Sequence, residues 1–243
     1  MRKNLDASVF VIMFFVCLVW GTQQVAIKIA GHYVSPMLQL SIRSGLSALI
    51  IFMLFNRRDR IAANLNAPRV AMAGMCVGIL FAIEFLLVAL GIPKTSTGHI
   101  TLFLYTAPLF TAVGLHFLLK EERMTGLQWL GIMIAFTGIA VAVQFSFSGD
   151  AALVGDFCAL AAGLCWGISS IIIRISSLAT LPPSCTLFYQ LATTSVILAL
   201  VAYGRGETLF VLNRTSLLSL TFQTIIVAVI SYLTWFTLLR YYK

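Results

Sequence analysis

Charge is what this sequence has least of. Eight acidic residues and sixteen lysines and arginines make only 10% of 243 residues charged, where soluble domains carry about a quarter. So few solvated groups cannot cover the surface of a water-soluble fold, and that class is excluded. Metal ligands are equally scarce. There are three histidines, without ligand spacing, and five cysteines (Cys17, Cys76, Cys158, Cys165, Cys185), without a Cys-x-x-Cys pair. No metal site is expected, and the cysteines read as small buried packing residues. The sequence has no Walker-type phosphate loop and no polar stretch long enough for a cytosolic cofactor domain, so direct ATP drive and a bound cofactor are not expected either. Asn213-Arg214-Thr215 matches a glycosylation sequon, a match too short to carry weight.

What fills the chain is apolar: 60% of residues, with a mean hydropathy of +0.99. These residues fall in blocks of about 20, the length that crosses a hydrocarbon core of about 30 Å as a helix. Eight blocks are read, at 8–30, 35–55, 70–91, 95–118, 126–144, 152–174, 182–203 and 216–240. The expected fold is therefore all-α, a polytopic membrane bundle of eight spans. Val9 to Ala30 is longer than the apolar core of a signal peptide and offers no small-residue cleavage site, so it is expected to remain as the first helix.

The net charge of +8 would suit nucleic acid if it were gathered on one surface, but it is spread along the loops. With a cytoplasmic N-terminus, Arg2, Lys3, Arg57, Arg58, Arg60, Arg69, Lys120, Arg123, Arg174, Arg240 and Lys243 fall inside, and only Lys28, Lys94, Arg205 and Arg214 fall outside. That bias is the positive-inside rule, and it makes the charge an orientation signal rather than a nucleic-acid site.

The chain also repeats itself. Residues 18–28 read LVWGTQQVAIK and residues 164–174 read LCWGISSIIIR, an offset of 146. The same offset places Pro36 on Pro182 and Lys28 on Arg174. Five spans separate the copies, and an odd number inverts the second copy in the membrane, the arrangement found in secondary transporters. The expected halves are 1–147, with five spans, and 148–243, with three. Counterparts of 95–145 are missing from the second half, so an intact ten-span version would run roughly 50 residues longer.

At this point the sequence resembles the EamA-type transporters of the drug/metabolite transporter superfamily. The resemblance is carried by VWG in helix one, PMLQLSIRSGLSALI in helix two, YTAPLFTAVGLHFLLKEERMTGLQWLGIMIAFTGIAV across helices four and five, and CWGISS opening the second half. It implies ten helices in two five-helix repeats, both termini cytoplasmic, and export of amino acids, other metabolites or toxic compounds. The expected function is thus a secondary exporter of small metabolites or amino acids in a bacterial cytoplasmic (inner) membrane. Its partners would be a small-molecule substrate and the lipid bilayer. Two other readings stay open: an inactive or truncated membrane protein, and an integral membrane enzyme, for which clustered acidic, His or Ser/His residues would be needed.

Buried charges are costly in a membrane and mark function by default. Arg43 lies seven residues inside the outer end of helix two, and Glu84 seven inside that of helix three. At about 1.5 Å per residue both sit roughly 10 Å deep and could pair, either structurally or as a substrate or proton site. His99 enters helix four from the same side, where its imidazole would suit pH-dependent gating, though interfacial hydration is the plainer expectation. Gln23, Gln24, Gln39, Tyr105, Tyr189, Gln190 and Tyr232 form a second tier that could hold a polar substrate in an apolar cavity. Trp20 and Trp166 occupy equivalent mid-helix positions and could face such a cavity. Gly74-x-x-x-Gly78 and Gly163-x-x-x-Gly167 suggest close helix packing. Pro108 lies inside helix four, where it should kink the helix and free the carbonyl of Leu104, making it a hinge candidate. Glu121 and Glu122 read as a solvated turn after helix four.

Overall fold

A computed structural model describes residues 6–65, 67–144 and 150–242. Arg2, Lys3, Lys243 and the expected boundary between the halves at 147/148 lie outside the described residues. The described chain is a bundle of helices without strands, apart from an isolated bridge between Val34 and Phe210 that ties two loops together at one end.

Each apolar block is a helix. The first four are α1 (Ala7–Ala30), α2 (Pro36–Asp59, followed by the short α3, Ile61–Leu65), α4 (Pro68–Gly91) and the pair α5 (Thr97–Leu104) and α6 (Ala107–Leu118). Then come α7 (Gly126–Gln144), α8 (Asp150–Ile175), α9 (Pro183–Gly204) and a last segment that begins as α10 (Arg214–Thr221) and ends as α11 (Tyr232–Tyr241). Seven of the described helical segments are long and apolar enough to cross a membrane. The exception is the fifth predicted span: its apolar stretch, Gly126–Ile139, is shorter.

The ends follow local chemistry. Asp6 caps α1 by accepting from Val9 N at 3.0 Å, Ser96 caps α5 through His99 N at 3.1 Å, and Asn213 and Ser216 form a reciprocal capping box on α10. Pro36, Pro68 and Pro183 open their helices, where a missing amide donor costs nothing. Pro108 interrupts the fourth span as expected, with the break at Tyr105 and Thr106, between α5 and α6. The last span is irregular in its middle. From Phe222 to Ser231 the turns are widened, and Tyr232 N donates to Val227 O, five residues back. Six of those ten residues are β-branched, which weakens the preference for a regular α-helix.

The outer surface is apolar as well as the interior. Phe14, Met53, Met72, Phe117 and Leu127 point outward and are exposed, as side chains in contact with lipid would be. Gln39, Arg43, Ser44, Thr194 and Gln223 are completely buried. The centre is made by α2 running along α9 and by α4 lying against α8 and α9. Glycines permit this. A Cβ on Gly78 would stand 2.6 Å from Thr193 Oγ1 of α9, and one on Gly163 would stand 2.8 Å from the Phe103 carbonyl at the α5–α6 break. Both small-xxx-small patterns therefore lie at close helix approaches. The chain is a multi-pass membrane protein.

Candidate functional site

The helices leave a narrow central cavity of about 40 Å³. One side is aromatic. The Trp20 and Trp166 rings meet edge-on at 5.0 Å, and Trp235 stands 5.8 Å from Trp20 and 6.1 Å from Trp166. Trp20 is oriented by its Nε1–H, which donates to Ser231 Oγ at 2.8 Å, while Ser231 itself donates to Val227 O within the widened turns. Tyr105, on the same wall, donates from its hydroxyl to Cys17 O at 2.6 Å, which fixes the helix break against α1.

The polar part of the wall is incompletely satisfied. Gln24, Glu84 and Gln190 all line the cavity, and each holds a buried oxygen without a hydrogen-bond partner: Gln24 Oε1, Glu84 Oε2 and Gln190 Oε1. Leaving a buried acceptor unmet costs about 1–3 kcal/mol, more for a charge, so three around one space indicate a place built to receive donors.

Arg43 stands one residue behind this wall. It is fully buried, its Cζ lies 4.3 Å from the Phe85 ring centre, and Nη2 donates to the Tyr232 hydroxyl at 3.3 Å. Tyr232 in turn donates to Gln23 Oε1 at 3.3 Å, so the guanidinium reaches the cavity through Tyr232 and Gln23. Among the described residues Arg43 Nε and Nη1 have no hydrogen-bond partner. The direct Arg43–Glu84 pair that matching depth suggested is not formed: among the described residues no ion pair within 4.0 Å joins them. Matching depth does not fix helix rotation, and Arg43 is turned onto Phe85 and Tyr232.

The remaining sequence candidates divide. Trp20, Trp166, Gln23, Gln24, Tyr105, Gln190 and Tyr232 line the cavity; Gln39, Tyr189 and His99 do not. Gln39 donates to Ile27 O at 3.1 Å and Val34 O at 2.8 Å, and accepts from Gln223 Nε2 at 2.9 Å, which makes it a clamp on the α1–α2 turn. Tyr189 is turned onto Gly74 of α4.

His99 is buried rather than hydrated at an interface. Its Nδ1 lies 2.9 and 3.0 Å from the two oxygens of Asp156, an arrangement in which Nδ1–H donates to the carboxylate. Thr95 Oγ1 donates to Asp156 at 2.7 Å, and Lys28 Nζ donates to Thr95 O at 2.8 Å. This cluster ties α1, the α4–α5 turn, α5 and α8 together at one end of the bundle. Asp156 went unsingled in the sequence because it lies only a few residues inside its apolar block, although the rule that marked Arg43 and Glu84 applies to it too.

A second cluster closes the opposite end. Arg174 donates to Glu122 Oε1 from Nε at 3.1 Å and from Nη2 at 2.7 Å, to Tyr242 O at 3.1 Å, and to Leu239 O. Glu122 is thus an ion-pair partner rather than part of a merely solvated turn. Between this cluster and the central cavity is a wider cleft of about 270 Å³, and Trp166, Ser170 and Trp235 belong to the walls of both spaces. No group of three or more metal-ligating side chains occurs among the described residues.

Comparison with known proteins agrees with this architecture. A solved crystal structure with 19% sequence identity superposes with a TM-score of 0.73 over 98% of this chain and 81% of that one, which shows a shared fold. A probable amino-acid metabolite efflux pump of Escherichia coli K12 is 28% identical over 244 aligned positions, covering 96% of this chain and 78% of the relative. Its Salmonella typhimurium namesake is 26% identical over 238 positions, covering 94% and 77%. YoaV, an uncharacterized transporter of Bacillus subtilis, is 26% identical over 168 positions; the match takes in 66% of this chain and about half (55%) of that protein. The EamA-like transporter family matches residues 7–144 and 153–243, nearly all of the chain. This chain belongs to the EamA-like transporter family.

Proposed function

We propose that the protein is a secondary transporter that exports small metabolites or amino acids across a bacterial cytoplasmic membrane by alternating access. In this reading the N-terminus is cytoplasmic, the His99 end faces outward and the Arg174 end faces inward. The observation that carries it is the central cavity, whose buried Glu84 oxygen has no partner, lying between two polar clusters at opposite ends of the bundle. A transporter needs this layout: a site in the middle and a separable closure at each end.

The repeat supports the same reading. The offset of 146 that carries Lys28 to Arg174 also carries Thr95 to position 241, between Leu239 and Tyr242. Lys28 donates to the Thr95 carbonyl, and Arg174 to those of Leu239 and Tyr242. Basic residues matched by the offset in the halves 1–147 and 148–243 thus pin backbone at or beside matched positions at opposite ends. Opening one end while the other holds is an exchange of roles between the halves. The relatives named as amino-acid metabolite efflux pumps support amino acids or their derivatives as cargo.

The test is efflux from proteoliposomes loaded with an isotope-labelled amino-acid mixture and followed by mass spectrometry. The reading expects at least one component to leave severalfold faster than from protein-free vesicles, with the rate saturating as internal concentration rises. Identical loss from both preparations for every component would refute it.

A further inference from the structure

The central cavity is uneven in what it offers a ligand. Its unpartnered buried side-chain atoms are all acceptors, in the amide orientation of the structure: Gln24 Oε1, Glu84 Oε2 and Gln190 Oε1. No lysine, arginine or histidine forms part of its wall. Arg43 is held behind Tyr232 and Phe85, with its Nη2–H directed to the Tyr232 hydroxyl. The same cavity is lined by Trp20, Trp166 and Trp235, whose faces attract cations and whose area suits a flat apolar body.

We infer that the cavity recognises its ligand by a protonated amine set against Glu84, Gln24 and Gln190, with an apolar body against the three tryptophans. An ammonium carries three N–H donors and a positive charge, which matches two amide oxygens and a carboxylate in both number and sign. The ligand class is therefore amines with a compact apolar substituent, including amino acids by way of their ammonium end and amines that lack a carboxyl group altogether. This rests on the transport reading for its place in a transport cycle, but the binding chemistry stands apart from it.

The experiment is quenching of intrinsic tryptophan fluorescence in the purified full chain in detergent, titrated separately with phenethylamine, phenylalanine, N-acetylphenylalanine and 3-phenylpropionate. The inference expects phenethylamine and phenylalanine to bind at least tenfold more tightly than the two compounds without a basic nitrogen. Glu84→Gln should reduce that preference to threefold or less, and Glu84→Asp should restore most of it, separating lost recognition from lost folding. Equal or tighter binding of 3-phenylpropionate, an unchanged preference in Glu84→Gln, or no saturable quenching by any of the four at millimolar concentration would overturn the inference. Should amine binding hold while the proteoliposomes show no efflux, the transport reading fails and the ligand class stands.

Discussion

Arg174→Lys keeps the charge at one end of the bundle and removes the fork that uses it. The guanidinium donates along four directions at once, twice to Glu122 and once each to the carbonyls of Leu239 and Tyr242. A lysine presents a single nitrogen on a flexible stem and cannot reach the carboxylate and both carbonyls together. Two charge-assisted hydrogen bonds are lost, each of about 1.5–3 kcal/mol. Glu122 is 17% exposed, so partial screening favours the low end, about 3 kcal/mol in total. If these contacts hold that end closed, the substitution raises its open fraction about 150-fold, at roughly 1.4 kcal/mol per tenfold. Ser170 is the reporter, because it is buried and belongs to both the central cavity and the wider cleft. In a variant with the five native cysteines replaced, Ser170→Cys should react with a membrane-impermeant thiol reagent about a hundredfold faster when Arg174→Lys is added. The reagent must be applied from the Arg174 face, and the protein must still elute as one species. A change of threefold or less would mean that the cluster does not hold the end closed, and the closure argument would fall.

Further outcomes follow from the same contacts. Asp156→Asn keeps the shape but removes the charge that faces His99 and Thr95, so opening should increase about tenfold or more at the His99 face and fall at the Arg174 face, read by the same thiol assay. Gly163→Ala should lower unfolding stability in detergent by about 1–3 kcal/mol, because its Cβ meets a backbone carbonyl that cannot step aside. Gly131→Ala, which meets nothing, should be neutral or stabilising by up to about 1 kcal/mol through helix propensity. If Glu84 carries a proton during exchange, Glu84→Gln should abolish the pH dependence of efflux while leaving residual transport, and an unchanged pH profile would remove Glu84 from that role.

Spans and breaks were legible in the sequence because hydropathy and proline act locally. The block read at 182–203 is Pro183–Gly204, that read at 70–91 is Pro68–Gly91, and Pro108 marks the interruption beside Tyr105. Trp20 and Trp166 could be matched by the offset of 146, and their rings do meet in the cavity wall. Helix rotation was not legible. The spans have apolar residues all round, so no amphipathic stripe says which face turns inward, and Gln39 and Tyr189 could not be told from Gln23 and Gln190. For the same reason depth suggested an Arg43–Glu84 pair where rotation gives Arg43 to Phe85 and Tyr232. The His99–Asp156 cluster was hidden because its members come from different helices, 57 residues apart. The widened turns from Phe222 to Ser231 had only a run of β-branched residues as a sign, and such runs also occur in regular membrane helices.

The central claim is that one cavity is reached from the two faces of the membrane in turn. Gln190 lines that cavity and is almost wholly buried, so a cysteine there reports entry rather than surface exposure. In vesicles of both orientations, with the native cysteines replaced, Gln190→Cys should be modified by an impermeant thiol reagent from either face. Adding Arg174→Lys should speed modification from the Arg174 face and slow it from the other, because a protein spending more time open at one end spends less at the opposite one. Modification from a single face only, or faster modification from both faces together, would contradict alternating access and leave a fixed pocket or a continuous channel.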